Sequence, residues 1–425
     1  KMYYTPNKEN NVFQLVVQYG AGEREFPKLG YAAQLMNNAG IMGAYEPQEL
    51  KEELSKLNAT CHVTADDDNL YIIMEGYEAT LPQACQLLSR QILMPKLDEK
   101  QLARLKGSAM GMRQQRKDNV SILNEALRQY MLYGEKSDYI KELTDKEIYE
   151  LQISELTGDI NRASNYEAKV FFTGTLPFDQ VYDILSKNLP LVANERPSNS
   201  PQAKDMMPVT ENTVYFLPNN DAEQAQIHLY IPMQKADKKD DVLRSAFNQY
   251  FGLDFTGIVL NEIREKRSMA YTAYAFVGTQ GIAGKASYLR GYIGTQNDKA
   301  NDALDVLMGL VNDMPKNPER IDNIKSYLRQ AMLTSHPSFR NKAMELVDLG
   351  YRGYTDDPAK ENLPKVDALT FDDIVKFYEE NIKDKPYCIS IMGNPKNIDL
   401  KRLEKFGKVV KLNERKLFNT KDALF

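Results

Sequence analysis

Residues 83–96, QACQLLSRQILMPK, and residues 303–316, ALDVLMGLVNDMPK, are two copies of one signal: apolar residues at helical spacing, halted by Met-Pro-Lys at Met94-Pro95 and Met314-Pro315. Proline lacks an N–H and drives the residue before it out of the helical region, so each helix is expected to stop there. Pro315 lies 220 residues beyond Pro95. Two further landmarks keep nearly that offset. Gly353 follows Gly134 by 219 residues, and Gly393, in the strand-like CISIMGNP of 388–395, follows Gly174, in VFFTGTLP of 170–177, by the same 219. One offset held over three landmarks means that the chain is one unit written twice.

Each unit is expected to open with a strand of alternating apolar residues, Phe13, Leu15 and Val17 in the first and Ile227, Leu229 and Ile231 in the second. A helix-rich middle follows. Leu304, Leu307, Leu310, Val311 and Met314 recur at three- to four-residue spacing, the pattern of an amphipathic helix packed on a sheet. Asn194-Glu195-Arg196-Pro197-Ser198-Asn199-Ser200-Pro201 carries little apolar surface and reads as linker. The expected organisation is a first α+β domain over residues 1–195, a linker over 196–212 and a second α+β domain over 213–425, each an antiparallel-rich sheet packed against helices.

Composition narrows the function classes. The 425 residues are 42% hydrophobic and 27% charged, and 54 Lys and Arg against 59 Asp and Glu leave a net charge of −5. Acids and bases are interleaved, so a nucleic-acid partner is not expected. No apolar run reaches the roughly 18 residues a membrane helix requires. The opening Lys1-Met2-Tyr3-Tyr4-Thr5-Pro6 has no leader pattern, so any leader is expected outside it. Cys61, Cys85 and Cys388 are widely spaced with no C-x-x-C pair, and read as buried free thiols.

Self-contained metal and nucleophile motifs are missing. His62, His228 and His336 lie far apart, so no pair sits at i, i+4 on one helix face. Cys61-His62 followed by Asp66-Asp67-Asp68 reads as two faces of a strand and a hairpin turn rather than a ligand cluster. No G-x-S-x-G elbow, phosphate loop or dinucleotide fingerprint occurs. His228 and His336 are expected to be hydrogen-bonded structural residues, and Gly252 to serve a turn.

One segment stands out, Tyr250-Phe251-Gly252-Leu253 leading to Leu260-Asn261-Glu262-Ile263-Arg264-Glu265-Lys266-Arg267-Ser268-Met269-Ala270-Tyr271. It resembles a segment of the second domain of each half in the pitrilysin/insulinase family of zinc metallopeptidases. Together with the duplicated units, the resemblance covers essentially the whole chain. It implies a clamshell half made of two α+β domains. The family's inverted zinc motif would fall on Gly30 to Asn38, placing the first His at Ala33, the catalytic Glu at Met36 and the second His at Asn37. The distal Glu would fall on Met112, or on Leu105 one register earlier. None of these residues can serve, because alanine and methionine neither hold zinc in this manner nor move a proton.

The resemblance therefore implies the non-catalytic half, with no catalytic residue and no metal in this chain and zinc in a partner half. In such a half the family places an Arg and a Tyr seven residues apart facing the catalytic centre, here Arg264 and Tyr271. A guanidinium and a phenol there would bind the substrate backbone or stabilise charge on the carbonyl oxygen. The first unit has Leu54 and Cys61 instead. The implied partners are a zinc-bearing half, in the same polypeptide or a separate subunit, and a peptide substrate. Ala283, Gly284 and Ser287 would lie on a strand near the chamber. Two other readings fit the composition, a catalytically dead scaffold subunit and a stand-alone peptide-binding module.

Overall fold

The computed structural model describes residues 1–116, 119–189, 196–252 and 256–421. Asn194 and Glu195 of the Pro/Ser/Asn-rich stretch, and Leu253 of the Tyr-Phe-Gly-Leu segment, lie outside the described residues. The strands are β1 (Met2–Pro6), β2 (Val12–Tyr19), β3 (Gly40–Ile41), β4 (Thr60–Ala65), β5 (Leu70–Tyr77), β6 (Pro95–Lys96), β7 (Ala168–Gly174), β8 (Thr213–Pro218), β9 (Gln224–Lys235), β10 (Thr272–Thr279), β11 (Ala286–Gln296), β12 (Cys388–Gly393) and β13 (Lys408–Lys411). Two large sheets result, in the orders β1-β7-β2-β5-β4 and β10-β11-β9-β12-β8-β13, with β3 and β6 forming a small ladder of their own.

The repeat is visible in the topology. In each large sheet the first strand pairs parallel with the last of the unit, β1 with β7 and β8 with β12, and the remaining pairings are antiparallel. β13 adds one strand, parallel to β8. The strands expected to open each unit are in fact the second ones. The short β1 and β8 precede them, and their few residues carry too brief an alternation to be read from sequence. The helices Leu81–Leu93 and Ala300–Asn312 end just before Met94-Pro95 and Met314-Pro315, as expected. Gly134 and Gly353 follow helices Val120–Tyr133 and Lys342–Tyr351 with φ of +56° and +89°, a conformation that favours glycine and explains why both copies keep it.

Each sheet buries one face against helices of its own unit. Phe13, Leu15 and Val17 pack with Ala84, Cys85 and Leu88, and Ile227, Leu229 and Ile231 pack with Leu304, Leu307 and Val311. The opposite faces are covered by exchange. Helix Val120–Tyr133 places Leu123 and Leu127 against Leu217 and Met392 of the second sheet. Reciprocally, helix Lys342–Tyr351 sets Ala343, Met344 and Val347 against Val16 and Phe171 of the first, and Tyr351 accepts a 2.8 Å hydrogen bond from Lys169. Residues 197–212 have no helix or strand, yet Met206 and Val209 are tucked against Tyr230 and Cys388. Among the described residues no helix is long and apolar enough to cross a membrane.

Leu127 is fully buried in the exchanged contact, whereas Leu346 is 57% exposed. Leu127→Ala is expected to lower unfolding free energy by about 2–5 kcal/mol, and Leu346→Ala by under about 0.5 kcal/mol, measured by urea denaturation. Equal effects would contradict the exchange of helices as a stabilising contact.

Candidate functional site

The Arg264 segment begins with a single α-helical turn, Ile258–Leu260, that widens into a π-helical turn over Asn261–Glu265. The N–H of Lys266 reaches back five residues to the carbonyl of Asn261 at 2.9 Å. Such a turn carries one residue more than the α ladder and is frequent at functional sites. Ile263 is fully buried and anchors it, which leaves Arg264 and Glu265 on the outside. Ser268 then takes φ of +49°, and its N–H donates to the Arg264 carbonyl at 2.8 Å while Met269 N–H donates to Ile263 at 3.0 Å. The Thr295 hydroxyl donates to the Met269 carbonyl, and Tyr271 N–H joins Gly294 at 2.9 Å where β10 begins. The segment from Arg264 to Tyr271 is thus closed on itself by local bonds at its start and tied to β11 at Met269 and Tyr271.

Within the EIREKR run, Glu262 accepts from both Lys266 and Arg267, and these bonds hold its carboxyl below the usual carboxylate range. The Arg264 guanidinium has a single ion pair among the described residues, with its neighbour Glu265 at 3.6 Å, and its side chain is 43% exposed. Tyr271 is 56% exposed, and its hydroxyl accepts a long 3.4 Å hydrogen bond from Gln296. Arg264 and Tyr271 line one open pocket of about 400 Å³ together with Glu265, Ser268, Gln296 and Lys299. Two cations against one carboxylate give this pocket a positive balance. Its donors, a guanidinium, a phenol and an ammonium, suit a carbonyl oxygen or an anion.

Gln296 and Lys299 escaped the sequence reading. They become neighbours of Tyr271 only when β10 and β11 pair as a hairpin, and nothing local marks them. Ala283 and Gly284 lie in the turn of that hairpin rather than on a strand, with Gly284 at φ of +74°, because the loop needs a left-handed residue there. Ser287, on β11, is buried and bonds the Gln234 carbonyl, away from the pocket. Gly252 lies in a turn that ends helix Asp241–Phe251, and a β-carbon there would come within 2.9 Å of Val259. In the first unit, Leu54 is buried on helix Pro47–Lys56, and Cys61 lies on β4 with its thiol pushed up to about 12 by burial. That unit offers no polar pair. Burial likewise raises Cys85 to about 12 and Cys388 to about 11, leaving all three as unreactive free thiols.

The zinc-motif positions do not fit a metal. Ala33 and Met36 are buried in the apolar core beneath the first sheet, and Met112 is exposed on helix Glu99–Gln115, with Leu105 half-buried a little earlier. Asn37 is committed elsewhere: its Oδ1 accepts Val63 N–H at 2.7 Å and its Nδ2 donates to the Val63 carbonyl at 2.8 Å, closing the open edge of β4. Asn248 does the same in the second unit, binding Val277 N–H at 2.6 Å and its carbonyl at 3.0 Å on edge strand β10. Among the described residues no three His, Cys, Asp or Glu side chains converge. Asp66, Asp68 and Asn69 form the expected turn, with Asp66 Oδ1 accepting the N–H groups of Asp68 and Asn69 at 2.8 and 2.7 Å.

Residues 164–328 match the family described as the peptidase M16 inactive domain. The match contains Arg264 and Tyr271, and it bears out the resemblance to the non-catalytic half of the pitrilysin/insulinase family. Among curated proteins none matches. The fold of the chain as a whole is shared with solved structures of low sequence identity. A peptidase M16 inactive domain from Pseudomonas fluorescens superposes with a TM-score of 0.72 at 16% identity, over 94% of this chain and 97% of that one. A mutant of the ferredoxin protease FusC in complex with Arabidopsis ferredoxin gives 0.71 at 12% identity, over 92% of this chain and 44% of that one. The periplasmic protease PqqL from Escherichia coli gives 0.68 at 13% identity, over 91% and 43%. The chain therefore spans less than half the length of those two proteases. The α+β clamshell-half architecture is shared with all three.

His228 is only half satisfied, contrary to the expectation of a fully bonded histidine. On β9 its Nε2 meets Asn124 Oδ1 at 3.1 Å, while Nδ1 is buried without a partner. His336 is exposed just after helix Ile321–Thr334. Burial, then the positive charges of Arg290 and Arg128, push the His228 pKa down to about 3. The unfolded ring takes a proton near pH 6.5 and the folded ring does not, so the unfolded chain gains protons and stability falls as pH drops from about 6.5 toward 3. Urea midpoints at pH 6.5 and 5 should show this loss, up to about 2 kcal/mol from this group, and His228→Gln should remove it. Equal pH dependence in both proteins would contradict a neutral buried ring.

Proposed function

We propose that this chain is the non-catalytic, substrate-binding half of a zinc metalloendopeptidase. Its partner, in the same polypeptide or a separate subunit, would carry the zinc and hydrolyse peptides or unfolded segments in a chamber closed by the two halves. The observation that carries this reading is the convergence of Arg264 and Tyr271 on one open pocket, with the guanidinium held only by its neighbour Glu265 and the phenol exposed. An arginine at a purely structural helix end would be expected to join the Glu262 pairs beside it. Support also comes from the asymmetry between units, since Leu54 and Cys61 could not bind a peptide carbonyl. That FusC is a protease holding a protein in its complex, and PqqL a protease, is consistent with a role on a polypeptide.

In this reading the chain's own groups bind and orient. Arg264 and Tyr271 donate hydrogen bonds to the substrate carbonyl or to the charge that develops on it, and the pinned segment keeps them in place without reorganisation. The metal chemistry belongs to the partner, because Ala33, Met36, Asn37 and Met112 offer no ligand set.

In the reconstituted two-half enzyme, Arg264→Ala and Tyr271→Phe are each expected to lower turnover on the order of 10- to 1000-fold with zinc content unchanged. Unchanged kinetics would assign the chain to the scaffold reading instead. Metal analysis of the isolated chain, purified without chelators, should find substoichiometric zinc and no peptidase activity. One tightly bound zinc per chain would overturn the assignment of the motif positions.

A further inference from the structure

Arg290 is a cation for which the described residues supply no partner. It sits on β11 with Phe276 beside it on β10 and Tyr230 on β9, and with Tyr288 and Tyr292 two residues away on its own strand. None of these four is acidic. Among the described residues Arg290 makes no hydrogen bond, ion pair or ring contact, and its Nε is buried with nothing to bond. Buried guanidinium N–H groups are ordinarily satisfied, so a vacant one needs an acceptor from elsewhere. Arg128, the nearby cation on the exchanged helix, is already neutralised by Glu125. The charge of Arg290 is felt by His228, whose proton affinity it depresses.

The surroundings have the form of a track. Tyr288, Arg290 and Tyr292 are half-buried and alternate with the core residues Leu289 and Ile293, so they share the face of β11 turned away from the core. Helix Val120–Tyr133 covers β9 and β12, and Tyr288 packs against the cluster of Met131, Leu132, Tyr230 and Cys388, while Arg290, Tyr292 and Tyr274 remain half-buried, with the Tyr274 ring tilted against those of Phe276 and Tyr292. Gln296, which bonds Tyr271, lies on the same face six residues beyond Arg290. At about 3.4 Å per residue, Arg290 is roughly 20 Å from the Arg264–Tyr271 pocket, the reach of about six extended peptide residues.

We propose that Arg290 is a carboxylate subsite for the peptide: an extended substrate lies over the aromatic face of β11, and a carboxylate about six residues from the Arg264–Tyr271 pocket seats on the guanidinium. The carboxylate is either the chain terminus or an Asp or Glu side chain. This inference rests on the peptide-binding reading above and adds to it the chemical class of a preferred substrate.

The test is fluorescence anisotropy of the intact chain with three otherwise uncharged twelve-residue peptides: one with a free C-terminus, one amidated, and one amidated with a single internal Asp. At least one carboxylate peptide is expected to bind about tenfold tighter than the neutral amidated one, and which one does so identifies the source. Arg290→Gln should abolish that preference while leaving the amidated peptide's affinity unchanged, and Arg290→Lys should retain part of it. Equal binding of all three peptides overturns the subsite alone; binding of none overturns the peptide-binding reading with it. Should Arg290→Gln fail to fold, NMR of the unaltered chain near neutral pH decides: a carboxylate seated on Arg290 is expected to shift the His228 ring signals more than the neutral amidated peptide does, and equal responses overturn the proposal.

Discussion

A β-sheet with two apolar faces must be covered twice, and the architecture follows from how this chain meets that demand. Each unit has helices for one face of its sheet only. The second face is covered by lending a helix across: Val120–Tyr133 goes to the second sheet and Lys342–Tyr351 to the first. Exchange of this kind lets the two units bury apolar surface that neither could bury alone, at about 25 cal/mol per Å² of area removed from water. It also explains why glycines 219 residues apart recur, since Gly134 and Gly353 each end a lent helix in a left-handed turn.

Coverage is not complete, and the gaps are where chemistry can occur. Over β9 and β12 the lent helix seals Leu217, Met392 and Cys388, and it meets His228 through Asn124. Over β11 Tyr288 packs against the cluster that contains Met131 and Leu132 of that helix, while Tyr274, Tyr292 and Arg290 remain half-buried. The Arg264–Tyr271 pocket lies at the end of the β10–β11 hairpin. Arg290 lies on that strand pair, and Arg264 and Lys299 lie on the turns that flank it. A molecule with a net charge of −5 presents a locally cationic face.

The two units show how one scaffold accommodates different roles at equivalent positions. Both close an edge strand with an asparagine amide, Asn37 on Val63 and Asn248 on Val277. Unpaired strand edges invite association with other chains, and a side-chain amide that satisfies both an N–H and a carbonyl blunts them. At the Arg–Tyr positions the units part: Leu54 and Cys61 are packing residues, whereas Arg264 is turned outward by a π-helical turn that buries Ile263, and Tyr271 is exposed where β10 begins.

The sequence by itself determined the duplication, the two helix stops at Met-Pro, the α+β class and the distinctive EIREKR segment, because these depend on local rules: proline stereochemistry, residue periodicity and spacing. It also determined which chemistry the zinc-motif positions could not perform, since alanine and methionine lack the donors whatever surrounds them. Only the tertiary structure decided the rest. The short β1 and β8 were invisible because strands of five or six residues draw their stability from partners far along the chain, β7 and β12. Asn37 read as a lost ligand until Val63 was seen against its amide. Gln296, Lys299 and Arg290 carry no local signature, and their meaning arises from strand pairing, which sets Arg290 among aromatic residues of its own and neighbouring strands and sets Gln296 beside the hydroxyl of Tyr271.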